Sequence, residues 1–148
     1  MQLEFLKNRL RNEIECNKVS TKVLLLDRCI YEDYHIFTKA QKELGIINMS
    51  EFNEYKNVYT QNLDKARAPN LFIYLRTSPN ELLRRIKLRG RDYEQSIDIK
   101  YLSTLDKYYN LFFNKVRDKF TESKFITVET DGLNVEEVYE RVRTHIPQ

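Results

Sequence analysis

The stretch "VLLLDRCIYEDYHIF", residues 23 to 37, ends an apolar run in an acid and a base, Asp27 and Arg28. A carboxylate at the end of a strand can hold a hydrated Mg²⁺. An arginine beside it can fork two hydrogen bonds onto a phosphate or a carboxylate. The same two residues can equally form a structural ion pair. Asp33, six residues on, either reaches back over the same edge or complements the first turn of a helix. A second stretch, "LLRRIKLRGRDYEQ", puts Arg84, Arg85, Lys87, Arg89 and Arg91 within eight residues. Arg85 and Arg89 are four apart and share a helix face. Converging arginines repel one another unless an anion lies between them, and phosphoryl transfer depends on such charge neutralisation. The alternative is a solvated basic helix end, which suits the C-terminal dipole.

Elements must position these side chains. Leu3, Leu6, Leu10 and Ile14 recur at helical spacing, so residues 2–17 read as an amphipathic helix. Residues 23–26 are too short for a helix and read as a buried strand ending at Asp27. Residues 30–44 carry helical periodicity and stop at Gly45. Ser50 is expected to cap a helix that buries Phe52, Tyr55, Tyr59 and Leu63. "NLFIYLR" reads as a second strand. Ser78, Pro79 and Glu81 then give a helix start with a capping box, and that helix runs to Gly90. Residues 98 to about 119 form another helix with Tyr101, Leu102, Leu105, Tyr108, Tyr109 and Phe112 as candidate core positions. "KFITVET" is a third strand, "DGLN" turns, and Asn134 with Glu137 starts a last helix carrying Val138, Val142 and Ile146. Alternating strands and helices predict an α/β fold with a parallel sheet.

The 148 residues suit one domain, and 41% hydrophobic with 32% charged residues fit a globular chain. No apolar run is long enough to span a membrane, so no membrane partner is expected. The N-terminus "MQLEFLKNRL" lacks the pattern of a secretory signal. Cys16 and Cys29 read as thiols of a reducing compartment, and a cytoplasmic location is expected. A net charge of +3 does not by itself argue for duplex nucleic acid. The basic cluster suits a phosphorylated small molecule as well as a polynucleotide.

Taken together the motifs resemble a family. "DRCIYEDYHIF" resembles the (D/E)RS-x-Y-x-D-x-x-x-F motif of deoxynucleoside kinases. "RIKLRGRDYEQ" resembles their LID, R-I-x-x-R-G-R-x-x-E-Q, and "QLEFLKNR" resembles their F-Q-x-x-x-L-x-x-R helix. The deoxyadenosine, deoxyguanosine and deoxycytidine kinase branch fits best. Cys29 stands where the motif has Ser, and Met1 where the family has Phe.

The resemblance implies a three-layer, P-loop-kinase-like parallel sheet with flanking helices, of which strands 1 and 2 would be absent here. It implies a single, incomplete kinase domain over residues 1–148, with the LID at about 85–95. Gln2 would hydrogen-bond the nucleobase edge, with the Arg9–Asp33 pair beside the base, as in members that take purines or cytosine. Asp27 would approach Mg²⁺ through water, and Arg28 the substrate 5′-oxygen. Glu94 would accept from the sugar 3′-hydroxyl. Arg85, Arg89 and Arg91 would close over the phosphates of ATP, and Asp131 and Gly132 would line its adenine. Family kinases are commonly dimers, so a homodimer is expected through helices that include residues 2–17 and 30–44.

No G-x-x-x-x-G-K-[ST] run occurs; the glycines are at 45, 90 and 132 alone. In the family that P-loop cradles the donor phosphates, and the general base follows the second strand. Both are expected upstream of Met1, and the present residues acting alone are expected to be inactive. The leading expectation is ATP-dependent phosphorylation of the 5′-hydroxyl of a purine or cytosine deoxynucleoside. The alternatives are a non-catalytic nucleoside-binding or dimerising remnant, a thymidylate kinase-like protein, and a basic nucleic-acid binder. No nucleic-acid motif supports the last.

Overall fold

The computed structural model describes residues 2–16, 18, 19, 21 and 23–147, with only the backbone of Gln2. The chain divides into two compact units, Met1–Ala68 and Pro69–Gln148.

The first unit is helical. Helix α1, Gln2–Cys16, buries Leu6. A short helix α2, Ile30–Glu32, passes through a π-helical turn, Asp33–Thr38, into α3, Lys39–Glu43. The wider turn is closed by the Thr38 hydroxyl, which donates to the Asp33 carbonyl at 2.8 Å. Such π turns recur at functional sites. Helix α4, Met49–Asn62, starts at Asn48, whose side chain accepts from the Glu51 amide while Glu51 reaches back to the Asn48 amide. The cap is therefore Asn48 rather than Ser50, because the Asn48–Glu51 box satisfies two amides at once. Tyr55 and Tyr59 are buried as expected, and Phe52 and Leu63 are half-buried. Tyr34 stacks on Tyr59 with ring centroids 4.3 Å apart.

Residues 23–26 do not form a strand. Leu24, Leu25 and Leu26 are 42%, 74% and 41% exposed. A strand needs a neighbour for its N–H and C=O groups, and among the described residues none pairs with this segment.

The second unit is α/β. Strands β1, Leu71–Arg76, and β2, Lys124–Glu129, pair in parallel with Leu71 opposite Lys124 and Arg76 opposite Glu129. Between them run α5, Pro79–Arg89, and α6, Ile99–Leu111, which continues through a π turn, Phe112–Val116. Gly90 ends α5 with φ +66°, a left-handed value that glycine adopts without strain. Phe72, Phe112, Phe113 and Val128 are buried, and the Phe72 ring stacks on Phe125 at 4.5 Å. Helix α7, Val135–Arg143, is capped by Asn134 and Glu137 as expected. Val138 and Val142 are half-buried rather than buried, and Ile146, expected on the same helix, lies half-buried beyond its end at Arg143. The architecture is α/β with a parallel two-stranded sheet and flanking helices.

Candidate active site

In the first unit the chemistry gathers where α1 meets the turn before α2. Arg9 Nε donates to Asp33 Oδ2 at 2.6 Å, and Arg9 Nη1 donates to the Asp27 carbonyl at 2.8 Å. Asp33 is 8% exposed. Burial raises its carboxyl above the ordinary range, and the adjacent Arg9 opposes that shift without cancelling it. The pair is therefore charge-assisted but strained by desolvation.

Arg28 is exposed and has φ +67°, an uncommon value for a residue with a side chain. Its guanidinium lies 4.2 Å from the centre of the Phe37 ring, within cation–π range. The next two amides are both held by carboxylates. The Cys29 amide donates to Glu32 at 3.0 Å and the Ile30 amide to Glu13 at 2.8 Å. Glu13 is 5% exposed, and burial pushes its carboxyl up to about 7. Burial likewise raises Glu32. The Asp27 carboxylate makes no hydrogen bond or ion pair among the described residues. Mg²⁺ keeps much of its hydration and takes one or two carboxylates plus substrate phosphates. Asp27 fits such a contact through water, and no cluster of three His, Cys, Asp or Glu that could hold a metal by itself occurs among the described residues.

In the second unit the arginines are held by their own acids. Glu81 bridges Arg84 at 2.6 Å and Arg85 at 2.8 Å. The expected Ser78–Glu81 capping box does not form, because a forked Arg84 guanidinium and the Arg85 Nε engage Glu81 more strongly than one amide would. Ser78 instead donates its amide to Asp131 Oδ1 at 2.8 Å, and its side chain together with that amide holds the Asp131 carboxyl below the usual range. Arg85 Nη2 also donates to the Thr130 carbonyl at 2.8 Å, just before Asp131 and Gly132. Gly132 turns with φ +73°. Arg89 pairs with Glu94 at 2.8 Å, and Arg91 lies 3.6 Å from the same carboxylate. The Arg85, Arg89 and Arg91 side chains are 37%, 49% and 52% exposed, so an anion can reach all three.

The structure thus brings Arg9, Asp27, Arg28 and Asp33 together in one unit. It brings Arg89, Arg91 and Glu94 together in the other, with Arg85 turned toward Asp131 and Gly132. The Gln2 side chain lies outside the described residues. Glu13 and Glu32 were not anticipated. A signal was there for Glu13, an acid seven residues after Leu6 and four after Arg9, on a face otherwise facing inward.

The match to known proteins covers the whole chain. The sequence profile of the deoxynucleoside kinase family matches residues 1–148. The chain is 32% identical to a deoxyguanosine kinase of Dictyostelium discoideum, over 76% of this chain and 39% of that protein. It is 28% identical to the deoxyguanosine kinase of Bacillus subtilis, over 80% of this chain and 59% of that one. The fold matches deoxyadenosine kinase from M. mycoides solved with bound dCTP, at TM-score 0.77 and 28% identity, covering 97% of this chain and 70% of that one. The same enzyme with bound dATP gives TM-score 0.78 at 26% identity, covering 97% and 71%. The fold class is that of P-loop kinases. The chain belongs to the deoxynucleoside kinase family. It spans well under two thirds of the length of these curated relatives.

Proposed function

We propose that these residues form the nucleoside-binding and LID portions of a deoxynucleoside kinase. The reaction is transfer of the γ-phosphoryl of ATP to the 5′-hydroxyl of a purine or cytosine deoxynucleoside. The observation that carries this reading is the Arg9–Asp33 pair at 2.6 Å, tied by the same guanidinium to the Asp27 carbonyl. A fixed donor–acceptor pair matches the edge of a purine or cytosine, and a buried polar site discriminates by what it would leave unpaired. Gln2 would add a contact to the same base. Arg28 would meet the 5′-oxygen, and Asp27 would hold Mg²⁺ through water.

Arg89 and Arg91 would exchange Glu94 for phosphate oxygens of ATP, releasing Glu94 toward the sugar 3′-hydroxyl. Arg85 would join them or stay anchored beside Asp131 and Gly132, the residues proposed for the adenine. Both units would belong to one kinase domain with its LID at about 85–95, working as a homodimer. No P-loop run occurs among the 148 residues. In this reading the donor-phosphate cradle and the general base are contributed by other chain. A second reading, nucleoside binding without turnover, is favoured by the same observation.

Incubation of the purified chain, alone and joined to the P-loop segment of a family kinase, with γ-labelled ATP, Mg²⁺ and deoxyadenosine, deoxyguanosine or deoxycytidine separates the two. Labelled 5′-monophosphate supports the kinase, and from the chain alone it shows that these residues suffice. Nucleoside binding with no label transferred, by the chain alone and with that segment joined, supports the second reading. Neither binding nor transfer contradicts both for these residues.

A further inference from the structure

Arg28 combines two costs: a left-handed backbone on a residue with a side chain, and an exposed guanidinium that must nevertheless be held in one place. Such a conformation persists only where the surroundings over-determine it. On its N-terminal side, Arg9 holds the Asp27 carbonyl at 2.8 Å. On its C-terminal side, Glu32 holds the Cys29 amide at 3.0 Å and Glu13 holds the Ile30 amide at 2.8 Å. Of these groups, Glu13 is the least exposed to solvent, and its bond to Ile30 is buried. Arg9 and Glu13 come from one helix, four residues apart, and so grip both ends of the turn from a single rigid element.

A buried carboxylate is an expensive way to accept one amide. A buried acid of this kind opposes folding at neutral pH, and the acids around it, Glu32 and Asp33, add to the cost while Arg9 relieves it. Glu13 reaches the Ile30 amide from the same helix whose Arg9 holds the Asp27 carbonyl, so the contact joins two points on either side of Arg28 rather than only capping one amide. We propose that Glu13 is a positioning residue: with Arg9 it clamps the turn at Arg28 and so sets where the Arg28 guanidinium stands. That Arg28 then meets substrate rests on the proposed function; its placement by Glu13 does not.

The test reads Arg28 directly. With the guanidinium carbon 4.2 Å from the centre of the Phe37 ring, the Arg28 δ protons are expected to show an upfield ring-current shift in NMR spectra. The account predicts that Glu13→Leu returns that shift to the random-coil value and speeds exchange of the Ile30 amide at least tenfold. Glu13→Gln keeps an acceptor and is expected to retain most of both. A Glu13→Leu protein whose Ile30 amide is exposed while the Arg28 shift persists would overturn the proposal, since Glu13 would then be a local cap. If Glu13→Leu does not fold, Glu13→Asp decides. Its shorter side chain draws the acceptor back from the Ile30 amide, so faster exchange of that amide and a loss of the Arg28 δ-proton shift should appear together; an Arg28 shift that persists while the amide exchanges faster overturns the coupling. Calorimetry with deoxyadenosine on the same samples keeps the two ideas apart. Wild type that binds no nucleoside retires the function reading and leaves the Arg28 result standing.

Discussion

Arg9 bridges two distant parts of the first unit: its Nε lies 2.6 Å from Asp33 Oδ2, and its Nη1 lies 2.8 Å from the carbonyl oxygen of Asp27. One side chain therefore fixes a carboxylate and a turn together. Removing it leaves Asp33 buried beside Glu13 and Glu32 with its main compensating charge gone. Arg9→Met is expected to cost about 2 kcal/mol of stability at pH 8. Asp33 already has a raised carboxyl, and without Arg9 it rises further. The deficit should therefore shrink as the pH falls and Asp33 is protonated in both folded and unfolded chains. Urea unfolding of both proteins at pH 4 and pH 8 measures it.

Glu13 gives a pH dependence of stability with a definite sign. Its carboxyl titrates near 4.5 when unfolded and about 7 when folded. Between those values the folded chain holds a proton that the unfolded chain has lost, so stability falls as pH rises and levels off above 7. The shift corresponds to about 3 kcal/mol. Glu13→Gln cannot ionise and lacks that slope. Relative to wild type it should gain about 3 kcal/mol between pH 4.5 and pH 8. Unfolding curves at three pH values check this, and parallel pH profiles would contradict it.

Glu94 is held by Arg89 at 2.8 Å with Arg91 nearby, so acid and phosphate compete for the same cations. Glu94→Gln should bind ATP more tightly, by about threefold at low salt, an advantage that shrinks as salt rises. If Glu94 also serves the sugar hydroxyl, the same variant should bind deoxynucleoside more weakly. Opposite signs for the two ligands, read by calorimetry, are the expected outcome.

The C-terminal ends of the two strands are joined by a buried hydroxyl pair, Thr77 Oγ1 and Thr130 Oγ1, 2.6 Å apart. Thr130 donates onward to the Arg76 carbonyl, so it accepts from Thr77. Thr130→Val strands a buried donor on Thr77 and should cost about 2 kcal/mol, whereas Thr77→Val should cost about 1 kcal/mol or less. Thermal unfolding of the two variants gives the ranking.

Local signals were legible in the sequence where the partner lies close along the chain. The Asn134–Glu137 box, the left-handed stop at Gly90 and both strands of the sheet stand where spacing puts them. The failures share a cause: each depends on a distant or competing partner. Residues 23–26 have the composition of a strand, but composition does not supply a neighbouring strand. The Ser78–Glu81 pattern is a sound cap until Arg84 and Arg85 claim Glu81 and Asp131 takes the Ser78 amide. Arg9 and Asp33 came from family resemblance, and their contact spans 24 residues that no periodicity connects. Glu13 went unnoticed because an acid on an amphipathic helix reads as solvated; its burial comes from the Ile30 amide folding back onto it.

The Arg9–Asp33 pair, as proposed, reads a purine or cytosine deoxynucleoside. Its most direct test is calorimetric titration of the purified chain with deoxyadenosine, deoxyguanosine, deoxycytidine and thymidine, beside the same titrations of Asp33→Ala. The account predicts saturable binding of at least one of the first three, little binding of thymidine, and a loss of at least tenfold in Asp33→Ala. Equal affinity for thymidine, or an affinity indifferent to Asp33, would contradict it.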